Sequence, residues 1–86
     1  MNLAEFCTLL RELGLLSLVE GICAQHYATL AEVHGKNCMP HANLARVAVI
    51  RALRERTQWS WRRIGQVLDR KGSSIYRSVH PRTTSE

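Results

Sequence analysis

The sequence predicts an all-α fold, and three observations support that prediction. The chain has 86 residues and is 45% apolar, which is enough for one hydrophobic core and too little for a second. Only five residues are aromatic, and few segments alternate between apolar and polar residues as β-strands do. Within the first 35 residues, three polar residues are each followed three positions later by Glu, which is the capping-box pattern of a helix start. Large α/β enzyme folds are excluded by the length alone.

The three capping boxes predict three helices in the first part of the chain. The first box begins a helix over residues 3–13, where apolar residues recur at helical spacing and a glycine follows. The second box begins at Ser17 and predicts a helix that runs to about His26. The third begins at Thr29 and predicts a short helix that Gly35 ends.

A loop and a long helix are predicted next. Residues 36–41 show no periodicity and include a proline, so we expect a loop there. Residues 42–57 form the longest predicted helix, with a broad apolar arc along one side. Arg46 lies at the margin of that arc, where an arginine lays its stem over a core and presents its guanidinium group at the edge.

Two short helices are predicted towards the end of the sequence. Ser60 is an N-cap candidate for a helix over residues 61–68, and residues 69–72 form a tight turn. The last helix begins near Gly72 and ends before Pro81, because the residue that precedes a proline disfavours helical backbone.

Charge is distributed unevenly along the chain. The formal net charge is +5, but residues 1–35 carry one basic and four acidic side chains, whereas residues 36–86 carry eleven basic and three acidic ones. A segment this basic repels itself unless it faces an anion, and the phosphate backbone of a nucleic acid is the commonest such partner. The alternative is a solvated basic surface without a ligand.

Residues 60–79 have the pattern of a DNA-binding helix-turn-helix, in which a short helix and a tight turn precede a second helix that begins with small polar residues. We expect Ser73, Ser74 and Arg77 to project into the major groove, because hydroxyl groups and a forked guanidinium suit base edges. Two short helices joined by a turn are also common as plain core packing. The basic residues expected to contact phosphates are Arg46, Arg62, Arg63, Arg70 and Lys71.

Four stretches carry a resemblance to a known family. They read ICAQHYATLAEVHG (22–35), LARVAVIRALRERT (44–57), WSWRRIG (59–65) and SSI (73–75). In this order and spacing they resemble the C-terminal DNA-binding domain (domain IV) of the bacterial replication initiator DnaA. The resemblance covers about three quarters of the chain, nearly without gaps.

The resemblance implies a Trp-repressor-like helical domain with two DNA-facing elements. One is the loop before the long helix, which enters the minor groove, and the other is the start of the last helix, which reads the major groove. The resemblance places the following residues at these elements or near the DNA: Lys36, His41, Arg46, Ser73 and Ser74.

Two departures from the family pattern bear on specificity. Cys38 stands where an arginine would enter the minor groove, and Lys71 and Gly72 stand where the family has an Asp-His pair. We therefore expect affinity for DNA without recognition of the DnaA box.

Three segments are predicted: an N-terminal amphipathic helix in residues 1–16, the helix-turn-helix domain in residues 17–80 and a disordered tail in residues 81–86. The N-terminal helix lies outside the resemblance. Its apolar stripe consists of Leu3, Phe6, Leu10 and Leu13. This stripe either packs on the same domain or forms a surface for a homodimer or a protein partner.

Metal binding and catalysis are not expected. His34, Cys38 and His41 lack the paired spacing of structural zinc sites, so we predict no metal and no cofactor. Cys38 has no evident oxyanion hole or orienting acid, so neither an enzymatic activity nor a small-molecule substrate is expected. Trp61 has the helical spacing of a core residue, whereas Trp59 either borders the core or stacks on unpaired bases.

The sequence has an odd number of cysteines, no signal-peptide pattern and no apolar run long enough to cross a membrane. These features predict a cytoplasmic protein. The predicted function is a small double-stranded DNA-binding protein that regulates replication or transcription. The alternative is a protein-interaction module, such as a host-directed inhibitor or adaptor of a phage or mobile element, on a DnaA-like fold that has lost box readout.

Overall fold

The computed structural model describes residues 1–35 and 39–79. These residues form helices and no strand, which confirms the all-α prediction. Within this part of the chain, no helix is long and apolar enough to cross a membrane. The helices are α1 (Leu3–Leu13), α2 (Leu16–Gln25), α3 (Leu30–Val33), α4 (Pro40–Thr57), α5 (Trp61–Val67) and α6 (Gly72–Val79).

Two of the three predicted capping boxes are present. The side chain of Asn2 accepts a hydrogen bond from the Glu5 amide at 2.8 Å, and the Glu5 carboxylate accepts one from the Asn2 amide at 3.0 Å. Thr29 and Glu32 make the same reciprocal pair at the start of α3. Each box satisfies two amide groups that a helix start otherwise leaves without a partner.

The predicted capping box at Ser17 is wrong, because α2 begins two residues earlier than that box implies and Leu15 occupies its N-cap without a side-chain hydrogen bond. The end of α1 explains the difference. Gly14 adopts the left-handed conformation with φ 73°, and the Leu15 amide donates to the Leu10 carbonyl at 2.8 Å. This glycine-based turn leads directly into α2 and leaves no separate segment for Ser17 to cap.

The predicted start of α4 is also wrong by two residues. The helix begins at Pro40 and not at residue 42, so His41 belongs to its first turn and not to a loop. Proline suits the first helical position, because its missing amide hydrogen is one that the helix would leave unbonded and its φ is already helical.

The hydrophobic core gathers residues from every helix, and α4 contributes three of its largest members, Val49, Ile50 and Leu53. Phe6 and Leu10 of α1 are completely buried in the same core. These two residues therefore pack on the same domain, which is one of the two alternatives predicted for the stripe. Leu3 is partly buried against the core, and of the four stripe residues only Leu13 is exposed, at 46%.

Candidate nucleic-acid interface

The C-terminal helix pair consists of α5, the turn at residues 68–71 and α6, and its boundaries follow from local hydrogen bonds. Ser60 accepts a hydrogen bond from the Arg63 amide at 3.1 Å and so begins α5 as predicted. The Arg70 amide donates to the Gly65 carbonyl at 2.7 Å, which closes the turn behind α5. The last helix then begins at Gly72, where the sequence predicts it.

Two glycines allow the helices of this pair to approach each other closely. A β-carbon on Gly65 would lie 2.6 Å from the Arg70 carbonyl oxygen and 2.9 Å from the Gly72 amide nitrogen. A β-carbon on Gly72 would lie 3.1 Å from the α-carbon of Arg62. The turn therefore packs on the backbone of α5, and the first residue of α6 lies against the first turn of α5.

The two faces of α6 differ in burial. Ile75 and Val79 are buried against the rest of the domain. Ser73, Tyr76 and Arg77 are exposed on the other side, and Ser74 is half-buried. The exposed face therefore carries two of the three predicted groove residues, together with a tyrosine that is not among the residues predicted from the sequence.

Exposed basic residues flank the exposed face of α6. Arg62 is exposed, and its backbone contacts Gly72, so its side chain begins beside the first turn of α6. Lys71 is exposed at the residue before that helix, and Arg63 is half-buried. Arg62 and Lys71 thus combine exposed side chains with a backbone position next to the first turn of α6, and exposed cations attract phosphate groups.

Arg70 makes its main contact within the protein. It is half-buried, and its Nη1 donates to the Gly35 carbonyl at 2.7 Å, while the Gly35 amide donates to the Leu68 carbonyl at 2.9 Å. These bonds hold Gly35 against the turn of the helix pair. Gly35 is the residue that precedes the predicted DNA-facing loop. We therefore assign Arg70 a role in holding this junction together, and its contact with phosphates stays a prediction. Lys36 and Cys38 lie outside the described residues.

Arg46 is buried and not at the edge of the core, so its predicted contact with DNA is corrected to a structural role. It is 1% exposed, and its guanidinium donates to the Val33 carbonyl at 2.8 Å and to the Glu32 carbonyl at 2.9 Å. A third bond, at 2.7 Å, reaches the side chain of Asn43. The physical reason is the shortness of α3, whose last carbonyls have no amide donors within their own helix.

His41 faces α3. Its Nε2 lies 3.1 Å from Oε2 of Glu32, whose other carboxylate oxygen accepts from the Thr29 amide. The hydrogen bond from the Thr29 backbone lowers the pKa of the Glu32 carboxyl, and the hydrogen bond with His41 lowers it further. The ring of His41, in the first turn of α4, is thus held beside α3. Among the described residues, no group of three or more metal-ligating side chains comes together.

An aromatic cluster joins α4 to the helix pair. It consists of Trp59, Trp61 and Tyr76, together with the guanidinium groups of Arg54 and Arg63. The Arg54 guanidinium lies 4.2 Å from the centre of the Trp61 ring and donates to the Trp59 carbonyl at 2.7 Å. Arg63 lies 5.5 Å from the Trp59 ring centre.

Trp61 and Tyr76 meet edge to face within this cluster, with their ring centres 5.4 Å apart. Both tryptophans are partly buried and pack against the core. This position is the one predicted for Trp61, and it is one of the two alternatives predicted for Trp59. Arg54 and Tyr76 are not among the residues predicted from the sequence. One signal could have indicated Tyr76, since it is a large aromatic residue outside the Ile75–Val79 stripe of an amphipathic helix.

Comparison with known proteins adds no identity, since the chain matches no protein family, no curated protein and no solved structure.

Proposed function

We propose that the protein binds double-stranded DNA through the C-terminal helix pair, acting as a helix-turn-helix, and regulates replication or transcription by occupying its site. One observation carries the proposal. The exposed face of α6 presents Ser73 and Arg77, and its first turn is flanked by the exposed side chains of Arg62 and Lys71.

In this proposal α6 enters the major groove, since an α-helix with its side chains is about 10–12 Å across and the groove is about 12 Å wide. Arg77 offers a forked donor to guanine, and Ser73 and Ser74 offer hydroxyl groups to base edges or phosphates. Arg62, Arg63 and Lys71 supply phosphate contacts, which position the helix without reading sequence.

We also propose that the domain has the Trp-repressor-like fold of the DnaA C-terminal domain. The order of helices supports this proposal: a short helix, the longest helix and then two short helices joined by a turn. The hydrogen bonds of Gly35 with Leu68 and Arg70 hold residue 35 against the turn of the helix pair, so that one DNA duplex at this turn would also pass close to residue 35.

The test measures fluorescence anisotropy with a random duplex, a DnaA-box duplex and a duplex pool for selection, each over a range of salt concentrations. We expect binding that weakens with salt and shows no preference for the DnaA box. Arg62→Ala and Lys71→Ala should each reduce the slope of log affinity against log salt by about 0.9, because each removes one phosphate contact. Arg77→Ala should relax sequence preference.

The matched control for these variants is Arg11→Ala. Arg11 is an exposed arginine in the last turn of α1. Its substitution also removes one positive charge, but at a position that is distant in sequence from the helix pair. An equal change of slope in Arg11→Ala would contradict the proposal, because it would show an effect of net charge and not of a located contact.

A protein-interaction module is the second candidate, and exposed apolar residues favour it. Leu44 is 62% exposed and Met39 is 55% exposed at the start of α4, while Leu13 is 46% exposed on α1. If no duplex binds even at low salt, this candidate replaces the first. Amide NMR titration with a partner protein would then be expected to shift resonances around these residues and not on α6.

A further inference from the structure

We infer that Tyr76 is a base-reading residue of α6, which selects a thymine by packing its ring against the C5-methyl group. This inference rests on the proposed binding of DNA by the helix pair. It adds a residue and a base preference that the charge pattern of the sequence does not indicate.

The position of Tyr76 on α6 supports this inference. Residues three and four apart share a helix face, so Ser73 stands between Tyr76 and Arg77 on the exposed side of α6. Tyr76 is 49% exposed, and the buried side is occupied by Ile75 and Val79. A major groove that receives Ser73 and Arg77 therefore also receives the ring of Tyr76.

The ring of Tyr76 is also held in place before DNA binds. Its edge-to-face contact with Trp61 lies on the side of α5, and Trp61 is itself packed against the core and covered by the Arg54 guanidinium. A reader whose ring is already oriented loses little conformational entropy on binding. Edge-to-face contact between two aromatic rings is a preferred geometry, so it favours one orientation of the Tyr76 ring.

The chemistry of the groove then selects the base. The thymine methyl is the one apolar group that the base pairs present in the major groove, and contact with it distinguishes thymine from the other bases. An exposed aromatic ring gains affinity by covering that methyl. The phenol hydroxyl both donates and accepts hydrogen bonds, so by itself it does not select one base pair.

The experiment begins with sites selected from the duplex pool by the wild-type protein. Each thymine of a selected site is then replaced by deoxyuridine, which keeps the Watson–Crick pair and removes only the methyl group. We expect one position at which this replacement weakens wild-type binding about fourfold, the factor that corresponds to burying one methyl group. At that position Tyr76→Ala should bind the two duplexes equally.

Tyr76→Phe is the matched variant, because it keeps the ring and its contact with Trp61 and removes only the hydroxyl. It should retain the wild-type sensitivity to deoxyuridine. If it instead loses that sensitivity as Tyr76→Ala does, the hydroxyl reads the base and the inference is overturned. The far-ultraviolet circular dichroism spectra of both variants should match that of the wild-type protein, which shows that they remain folded.

A measurement on the wild-type protein tests the inference even if the Tyr76→Ala variant does not fold. In the complex with a selected duplex, we expect a nuclear Overhauser effect between one thymine methyl and the Tyr76 ring protons. Its absence would overturn the inference. Salt-dependent binding without any thymine-methyl dependence would overturn this inference alone, whereas no binding to any duplex would overturn the proposed function with it.

Discussion

Two regions of the molecule differ in the exposure of their cationic side chains. One is the junction of α3 with α4, and the other is the C-terminal helix pair. Both regions are predicted from the sequence to contact DNA. At the junction, Arg46 is buried and His41 faces a carboxylate of α3. In the helix pair, Arg62, Lys71 and Arg77 are exposed to solvent.

The difference follows from where backbone carbonyls need donors. The four-residue helix α3 ends with the carbonyls of Glu32 and Val33, to which no later turn of that helix can donate, and the Arg46 guanidinium supplies the missing hydrogen bonds. In the helix pair, the backbone itself closes the turn, through the bond from the Arg70 amide to the Gly65 carbonyl. Of its cations, Arg70 donates to the Gly35 carbonyl, whereas Arg62, Lys71 and Arg77 are exposed to solvent.

The largest expected effect would come from removing the guanidinium at the junction. Arg46→Met keeps much of the side-chain volume and leaves two carbonyls without donors, so we expect the free energy of unfolding to fall by about 3 kcal/mol or more, at about 1.5–3 kcal/mol for each bond to a charged group. Urea denaturation measures it. The matched variant Arg62→Met should change stability by less than about 0.5 kcal/mol. Equal effects of the two variants would remove the distinction between the regions.

A second pair of variants tests the close approach within the helix pair. Gly65→Ala places a methyl group 2.6 Å from the Arg70 carbonyl oxygen, and such overpacking should cost about 1–3 kcal/mol. Gly21 lies within α2, and a β-carbon there would have no atom within 4 Å of it outside its own helix backbone and chain neighbours. Gly21→Ala should therefore raise stability by about 0.5–1 kcal/mol, since alanine favours helical backbone. Thermal unfolding of both variants checks the opposite signs.

The start of the helix pair should be more sensitive than the start of α2 to loss of a serine. Ser60→Ala removes an N-cap hydrogen bond and should cost about 1 kcal/mol. Ser17 is exposed and does not cap α2, so Ser17→Ala should change stability by less than about 0.5 kcal/mol. A comparable loss in Ser17→Ala would show that the capping box predicted there forms after all.

The smallest expected effect concerns acid stability at the junction. The pKa of Glu32 is lowered in the folded protein, first by the hydrogen bond from the Thr29 amide and then by the one with His41. The carboxylate therefore contributes stability above its unfolded pKa, and that contribution is lost as the pH falls through the lowered folded pKa. Glu32→Gln should remove this part of the pH dependence when unfolding is followed at a series of acidic pH values. An unchanged pH profile in Glu32→Gln would contradict the assignment.

Local signals in the sequence are sufficient for most helix boundaries. Asn2, Thr29 and Ser60 each cap a helix where the sequence predicts one. Their cap bonds involve partners within three residues, so no tertiary information is needed to foresee them. The start of α4 differs from its prediction, because Pro40 is both a loop signal and a favourable first helical residue, and the local sequence does not distinguish the two.

The sequence by itself determined the all-α fold, the amphipathic stripes and the concentration of positive charge in residues 36–86. The tertiary structure alone decided which cations are buried. Arg46 and Arg77 look alike in the sequence, and only the position of α3 beside α4 supplies carbonyls to one of them. The same holds for Tyr76, whose contact with Trp61 joins residues from two helices. Side-chain partners across a fold depend on helix packing, which periodicity and capping patterns do not encode.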